Sequence, residues 1–96
     1  MVSPDPRDIV HLATQGRFEW PLERGSAECV YRRQGNLILI THTEVPHAYE
    51  GRGIAAQLVR AVLDWARAEG LLVRPLCSYV AAYMRRHPDT HDLLAA

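Results

Sequence analysis

Four short features of this sequence carry groups suited to chemistry. The first is "EGRGIAAQLV", residues 50–59. Gly51-Arg52-Gly53 leads into an apolar helical pattern with no Ser, Thr, Asp or Asn at the usual capping position. The first turn of a helix has free N–H groups and the positive end of the macrodipole, so an anion can take the place of the cap. Glycine at 51 and 53 lets the backbone approach such an anion, and Arg52 adds a charge. On spacing alone a solvated glycine turn explains the motif equally well. It is shorter than the dinucleotide fingerprint and lacks the Gly-Lys-Ser/Thr of a nucleoside-triphosphate loop.

The second feature is His42 and Glu44, two apart at the end of a strand pattern and so on one face, with Thr41 and Thr43 on the other. Either can act as a general base. A histidine titrates near neutrality unaided, whereas a glutamate needs burial. The bland alternatives are a core histidine bonded to backbone and a solvated strand end. The third is Cys77, at the start of a helical pattern, where a helix N-terminus favours the nucleophilic thiolate. The alternative is a small packing residue, which is also the reading for Cys29. The fourth is His87 and His91, at a spacing that suits two metal ligands on one helix face. Pro88 should end that helix at His87 and no third ligand is evident, so no metal is expected. His87, Arg85 and Arg86 instead suit a helix C-terminus, where cations are favoured.

These features need elements to hold them. Residues 1–8 carry two prolines and no periodicity, and read as an extended or disordered tail ahead of one domain over 9–96. Strand patterns fall at Ile9–Ala13, at Arg17–Trp20 (ended by Pro21), at 27–33, and at Leu37–Val45, the last read as buried on both faces. In the third, Cys29 and Tyr31 share one face. Short turns join the four, hence an antiparallel meander. Apolar residues at 54, 55, 58, 59, 62, 63, 65 and 66 then predict an amphipathic helix over Ile54–Glu69 with Gly70 as its C-cap. A short strand at Leu71–Arg74 and a helix from Ser78, its N-cap, to His87 follow. Phe18, Trp20 and Trp65 read as core. The order β-β-β-β-α-β-α makes an α+β domain, with the strand–helix–strand unit crossing onto a parallel neighbour.

Composition narrows the function classes. The chain has 96 residues, 48% of them hydrophobic, with 11 basic residues balancing 11 acidic ones. That balance removes the general electrostatic case for nucleic acid. No apolar run is long enough for a membrane helix, and the opening "MVSPDPRD" lacks a signal-peptide profile. Two separated cysteines do not suggest a disulfide scaffold. A cytoplasmic protein is expected, monomeric or weakly homodimeric through exposed strand edges.

In this context "AYEGRGIAAQLV" resembles motif A of the GCN5-related N-acetyltransferases, usually Gln or Arg, two residues, Gly, one residue, then Gly or Ala. Both glycines and the apolar helix match; Ala48 stands where that family has Gln or Arg, which removes one phosphate contact. With "HTEVP" and "PLCSYV" around it, the chain resembles a compact subgroup of the family over roughly residues 9–88. The resemblance implies acetyl-CoA as co-substrate and an amine acceptor. It implies that the pyrophosphate sits on the N–H groups of Gly51, Arg52, Gly53, Ile54 and Ala55. The pantetheine arm would then pass between the strand ending at Val45 and the strand at Leu71–Arg74, which splay apart in the family. An N–H near Glu44 or Val45 would polarise the acetyl carbonyl. Glu44 or His42 would deprotonate the amine. Tyr83 falls where a tyrosine of the family stands near the thioester sulfur as an acid, and packing is its alternative. Cys77 would either carry the acetyl group or line the cofactor, and Arg85 and Arg86 lie in reach of the 3′-phosphate. Two other functions fit the same features: a coenzyme-A-binding protein with little or no catalysis, and an interaction module whose glycine turn binds nothing.

Overall fold

The computed structural model describes residues 3–96; Met1 and Val2, part of the expected tail, lie outside the described residues. Pro6–Asp8 of that tail form a single 3-10 turn, with the Asp5 carboxylate accepting from Arg7 N at 2.9 Å. Five strands follow in spatial order β1 to β5: β1 Val10–Leu12, β2 Arg17–Leu22, β3 Gly25–Gln34, β4 Leu37–Glu44 and β5 Leu72–Pro75. The first four pair antiparallel as a meander, and β5 pairs parallel with β4. The crossover between them is helix α1, Ile54–Ala68, and helix α2, Ser78–Arg86, follows β5. This is the α+β architecture expected from the order of patterns.

Helix α1 buries Ile54, Leu58, Val59, Val62, Leu63 and Ala66, a stripe at helical spacing. It stops at Gly70, which takes φ +68°. Leu71 N donates to Ala66 O at 2.8 Å and Gly70 N to Arg67 O at 3.2 Å, the paired bonds of a Schellman motif. That stripe joins Val80, Tyr83 and Met84 of α2 and Trp20, Cys29, Ile38, Ile40 and Val73 of the sheet in one core. Trp65 packs at its margin against His11, Phe18 and Tyr31.

Three expectations are corrected. Strand β4 is buried on one side only: Ile38 and Ile40 are fully buried, whereas Leu37 and Leu39 are half-buried. Both helices join the core through the Ile38 side, so the opposite side of the sheet is uncovered. Pro21 does not end β2, which runs on to Leu22 with Pro21 opposite Ser26. β1 stops at the Val10–Glu19 pair, so Pro21 has a neighbouring strand on one side only, where proline is tolerated. Ser78 is not the cap of α2: the N-cap is Cys77, and no side chain caps that helix.

Near its end β4 carries one extra residue. Tyr31 faces Ile40 and the preceding Val30 faces His42, so Thr41 is a bulge. Beyond it Thr43 turns to the buried side opposite Cys29, while His42 and Glu44 turn to the uncovered side.

Candidate active site

Both helices begin at the same end of the sheet, and neither has a side-chain cap. At α1 the N-cap is Gly53, with φ +76°, and Gly51 has φ +77°. A Cβ on Gly51 would meet nothing within 4 Å, and one on Gly53 only Gln57 Nε2 at 3.9 Å. No neighbour therefore crowds the side of either glycine where a side chain would stand. The first helical bond is Gln57 N to Gly53 O at 3.1 Å, so the N–H groups of Ile54, Ala55 and Ala56 precede the helical ladder. The Arg52 guanidinium lies over the Tyr49 ring, 5.5 Å from its centre. Tyr49 is itself buried and accepts from Arg24 N through its hydroxyl at 3.1 Å. The reading of the sequence missed this support. Its only signal was an aromatic residue three positions ahead of Arg52.

The pairing of β4 with β5 ends at Ile40, leaving a gap in the ladder beyond it. β5 ends at Pro75, opposite Ile40, and the N–H groups of Leu76 and Cys77 both donate to Ile40 O at 3.0 and 2.9 Å. β4 continues from Thr41 to Glu44 with β3 on one side and no strand on the other. Alternate backbone groups of this stretch, up to Val45 just beyond it, face the gap. Cys77 sits across it: its Sγ donates to Thr43 Oγ1 at 3.6 Å, and Thr43 Oγ1 donates to Cys29 Sγ at 3.7 Å. Cys29 is fully buried, and that burial pushes its thiol up to about 11. Cys29 is thus the packing residue expected, and Cys77, half-buried, is the accessible thiol.

His42 and Glu44 border the gap from the uncovered side. They contact each other, Nε2 to Oε2 at 3.1 Å, with side chains 54% and 65% exposed. Glu28 joins them, so that the ligand atoms of Glu28, His42 and Glu44 all lie within 4.8 Å of one another. Among the described residues this is the one such group; His87 and His91 do not form one. They serve the end of α2 instead: His87 Nδ1 lies 2.6 Å from Tyr83 O, and His91 Nε2 lies 2.8 Å from Met84 O.

Tyr83 points toward α1. Arg60 Nε donates to its hydroxyl at 2.8 Å, and its ring stacks on His87 at 3.9 Å. Tyr83, His87, Gln57 and Arg60 line a groove of about 480 Å³ along the outer side of α1. Arg86 stands in the last turn of α2, roughly 12 Å along the helix from Ser78. The structure thus brings Cys77 together with Thr43, and His42 with Glu44, and it ties Tyr83 to Arg60. Thr43 and Arg60 were not anticipated. Thr43 lies between His42 and Glu44 on the other face of the strand, and only its distant partner Cys77 marks it.

A model of the GCN5-related N-acetyl-transferase family matches residues 17–93, from β2 to the C-terminal 3-10 turns. Protein NATD1 of Homo sapiens is 41% identical over 63 residues, covering 65% of this chain and 56% of the relative. Protein NATD1 of Gallus gallus gives the same identity over 65% and 57%. The chain therefore spans less than two thirds of the length of these curated relatives. A Staphylococcus aureus protein described as GCN5-like, solved by NMR in solution, superposes with a TM-score of 0.69 at 25% identity, covering 92% of this chain and 87% of that one. The chain belongs to the GCN5-related N-acetyltransferase family.

Proposed function

We propose that this member of the family is an acetyl-CoA-dependent N-acetyltransferase acting on an amine. The observation that carries the reading is the start of α1 behind Gly51 and Gly53, which no side chain caps. The pyrophosphate takes the N–H groups from Gly51 to Ala55 and the charge of Arg52. The pantetheine arm enters the gap, where an N–H near Val45 receives the acetyl oxygen. Arg86, at the far end of α2, is the candidate for the 3′-phosphate. Among the described residues no helix is long and apolar enough to cross a membrane.

Chemistry then needs a deprotonated amine, because an alkyl ammonium is almost wholly protonated at neutral pH. His42 or Glu44 takes that proton from the uncovered side. The amine nitrogen bonds to the acetyl carbon, the carbon–sulfur bond breaks, and the electron pair leaves on the coenzyme sulfur. Tyr83 is the candidate to protonate that sulfur, since a phenol accepting from Arg60 keeps its own proton to give. Cys77 offers a two-step path: its thiolate takes the acetyl group, the coenzyme thiolate leaves, and the amine then displaces Cys77 sulfur.

Isothermal titration with coenzyme A tests the reading directly. Binding stronger than about 1 mM is expected, and no heat at that concentration overturns it. A second reading, coenzyme binding with little or no catalysis, is favoured by the exposure of His42 and Glu44 on the side of the sheet opposite Thr43. Tight binding with no acetylated product across amines, polyamines and peptides would select it.

A further inference from the structure

We propose that Thr43 is a positioning residue for Cys77, its hydroxyl being the donor that stabilises the Cys77 sulfur as an anion. The proposal rests on Cys77 belonging to the site described above, and it concerns the thiol itself, before any coenzyme arrives.

The argument begins with one hydroxyl between two sulfurs. Thr43 has a single O–H to give, and at rest it gives it to Cys29 Sγ at 3.7 Å while accepting from Cys77 Sγ at 3.6 Å. The heavy atoms are fixed on both sides. Thr43 is held in β4 opposite Cys29, and Cys77 is pinned by its N–H on Ile40 O at 2.9 Å. When Cys77 loses its proton, its sulfur can only accept. Rotation of the Thr43 O–H about its own C–O bond then aims the proton at Cys77, with no heavy atom moved. The bond given up, to a neutral sulfur, is weak; the bond gained is charge-assisted and stronger.

Cys29 completes the arrangement. Fully buried, with its thiol held up by that burial, it stays neutral and does not compete as a second anion. It gives the half-buried Thr43 hydroxyl a partner while Cys77 is protonated. A valine at 43 would fill the same volume without the donor.

The test is the rate at which iodoacetamide alkylates Cys77 in the folded full-length chain at neutral pH, followed by mass spectrometry without coenzyme. In that reaction a sulfur–carbon bond forms, the carbon–iodine bond breaks, iodide leaves and the thiol proton goes to buffer. Thr43→Val is expected to slow the reaction about tenfold, the effect of losing one hydrogen bond to a charged group. Thr43→Ser should react at the wild-type rate, because it keeps the donor. Cys29→Ala should react as fast as wild type or faster, because the hydroxyl is released to Cys77. A Thr43→Val rate within twofold of wild type overturns the proposal. So does a Thr43→Ser rate as slow as that of the valine variant, or a Cys29→Ala rate slower than wild type. Because the reaction uses no coenzyme, failure of coenzyme binding leaves this result standing, and the reverse also holds.

Discussion

Glu28 and Glu44 stand directly opposite each other across β3 and β4, on the uncovered side of the sheet. Glu19 faces Glu28 in the same row on β2, and Arg17 offsets it alone, at 3.0 Å from Glu19 and 3.5 Å from Glu28. Like charges directly opposite one another cost stability. Glu44→Gln removes the charge at the end of the row that Arg17 does not reach and keeps an acceptor for His42. It is expected to raise the melting temperature slightly, by about half a kcal/mol of stability. If Glu44 is the base, it also lowers kcat/KM by about 100-fold. Thermal melts and initial rates with one acceptor amine read the two effects separately. A drop in rate of similar size for His42→Gln alone would move the role to His42.

The glycine turn gives a prediction in two grades. Gly53→Ala keeps the space but puts a Cβ at φ +76°, which costs about 1 kcal/mol. Gly53→Glu carries the same backbone strain and adds bulk and negative charge where pyrophosphate is proposed to lie. Equal loss of stability in the two variants is expected in urea melts, with coenzyme A binding weakened in the first and abolished in the second. Wild-type affinity in Gly53→Glu would remove the turn from the binding site.

Cys77→Ala separates the two chemical paths. It is expected to leave the affinity for coenzyme A within a few-fold and to abolish transfer if the acetyl group rides on Cys77. Mass spectrometry of wild type mixed with acetyl-CoA and no acceptor should then show an acetylated chain that the alanine variant lacks. Full turnover in Cys77→Ala assigns direct attack by the amine.

His11 gives the fold a pH dependence. It stacks on Phe18 at 4.0 Å and its Nε2 lies 2.7 Å from the Tyr31 hydroxyl. Burial lowers its affinity for a proton from the ordinary 6.5, against a weaker opposing pull from Glu69. As pH falls through about 6.5 the unfolded chain takes up this proton and the folded chain does not, so stability falls. Asp5, Asp89 and Asp92 are shifted below the ordinary 3.8 by bonds from Arg7, Arg60 and Arg67, and their stabilisation is lost only in stronger acid. Melting temperature should therefore drop between pH of about 7.5 and about 5, and His11→Gln should show a shallower drop.

Much of this molecule is legible in its sequence, for physical reasons that differ by element. Helix α1 is evident because apolar residues recur at helical spacing along its fifteen residues and Gly70 follows its end. The meander is evident because turn residues separate short runs of alternating character. The run Leu37–Ile40 was harder, since a continuous apolar strand implies cover on both sides. Leu37 and Leu39 are instead half-buried on a side no helix covers. Within the candidate site, the glycine turn, Cys77 and the His42–Glu44 pair are the groups that residue type alone singles out. Tyr49, Arg60 and Thr43 do not, because their importance comes from partners distant in the chain: Arg24, Tyr83 and Cys77.

The bulge at Thr41 has a consequence for how the strand can change over time. In a strand, alternation has a parity, and one additional residue inverts it. β4 thus carries two signals in opposite phase: even-numbered residues turn to the core up to Ile40, and beyond the bulge odd-numbered Thr43, half-buried, turns to that side. Were the pairing regular throughout, His42 would point at the sulfurs and Thr43 would point into water. Loss or gain of a single residue near position 41 is then not a local defect but an exchange of the two chemistries between the two sides of the sheet.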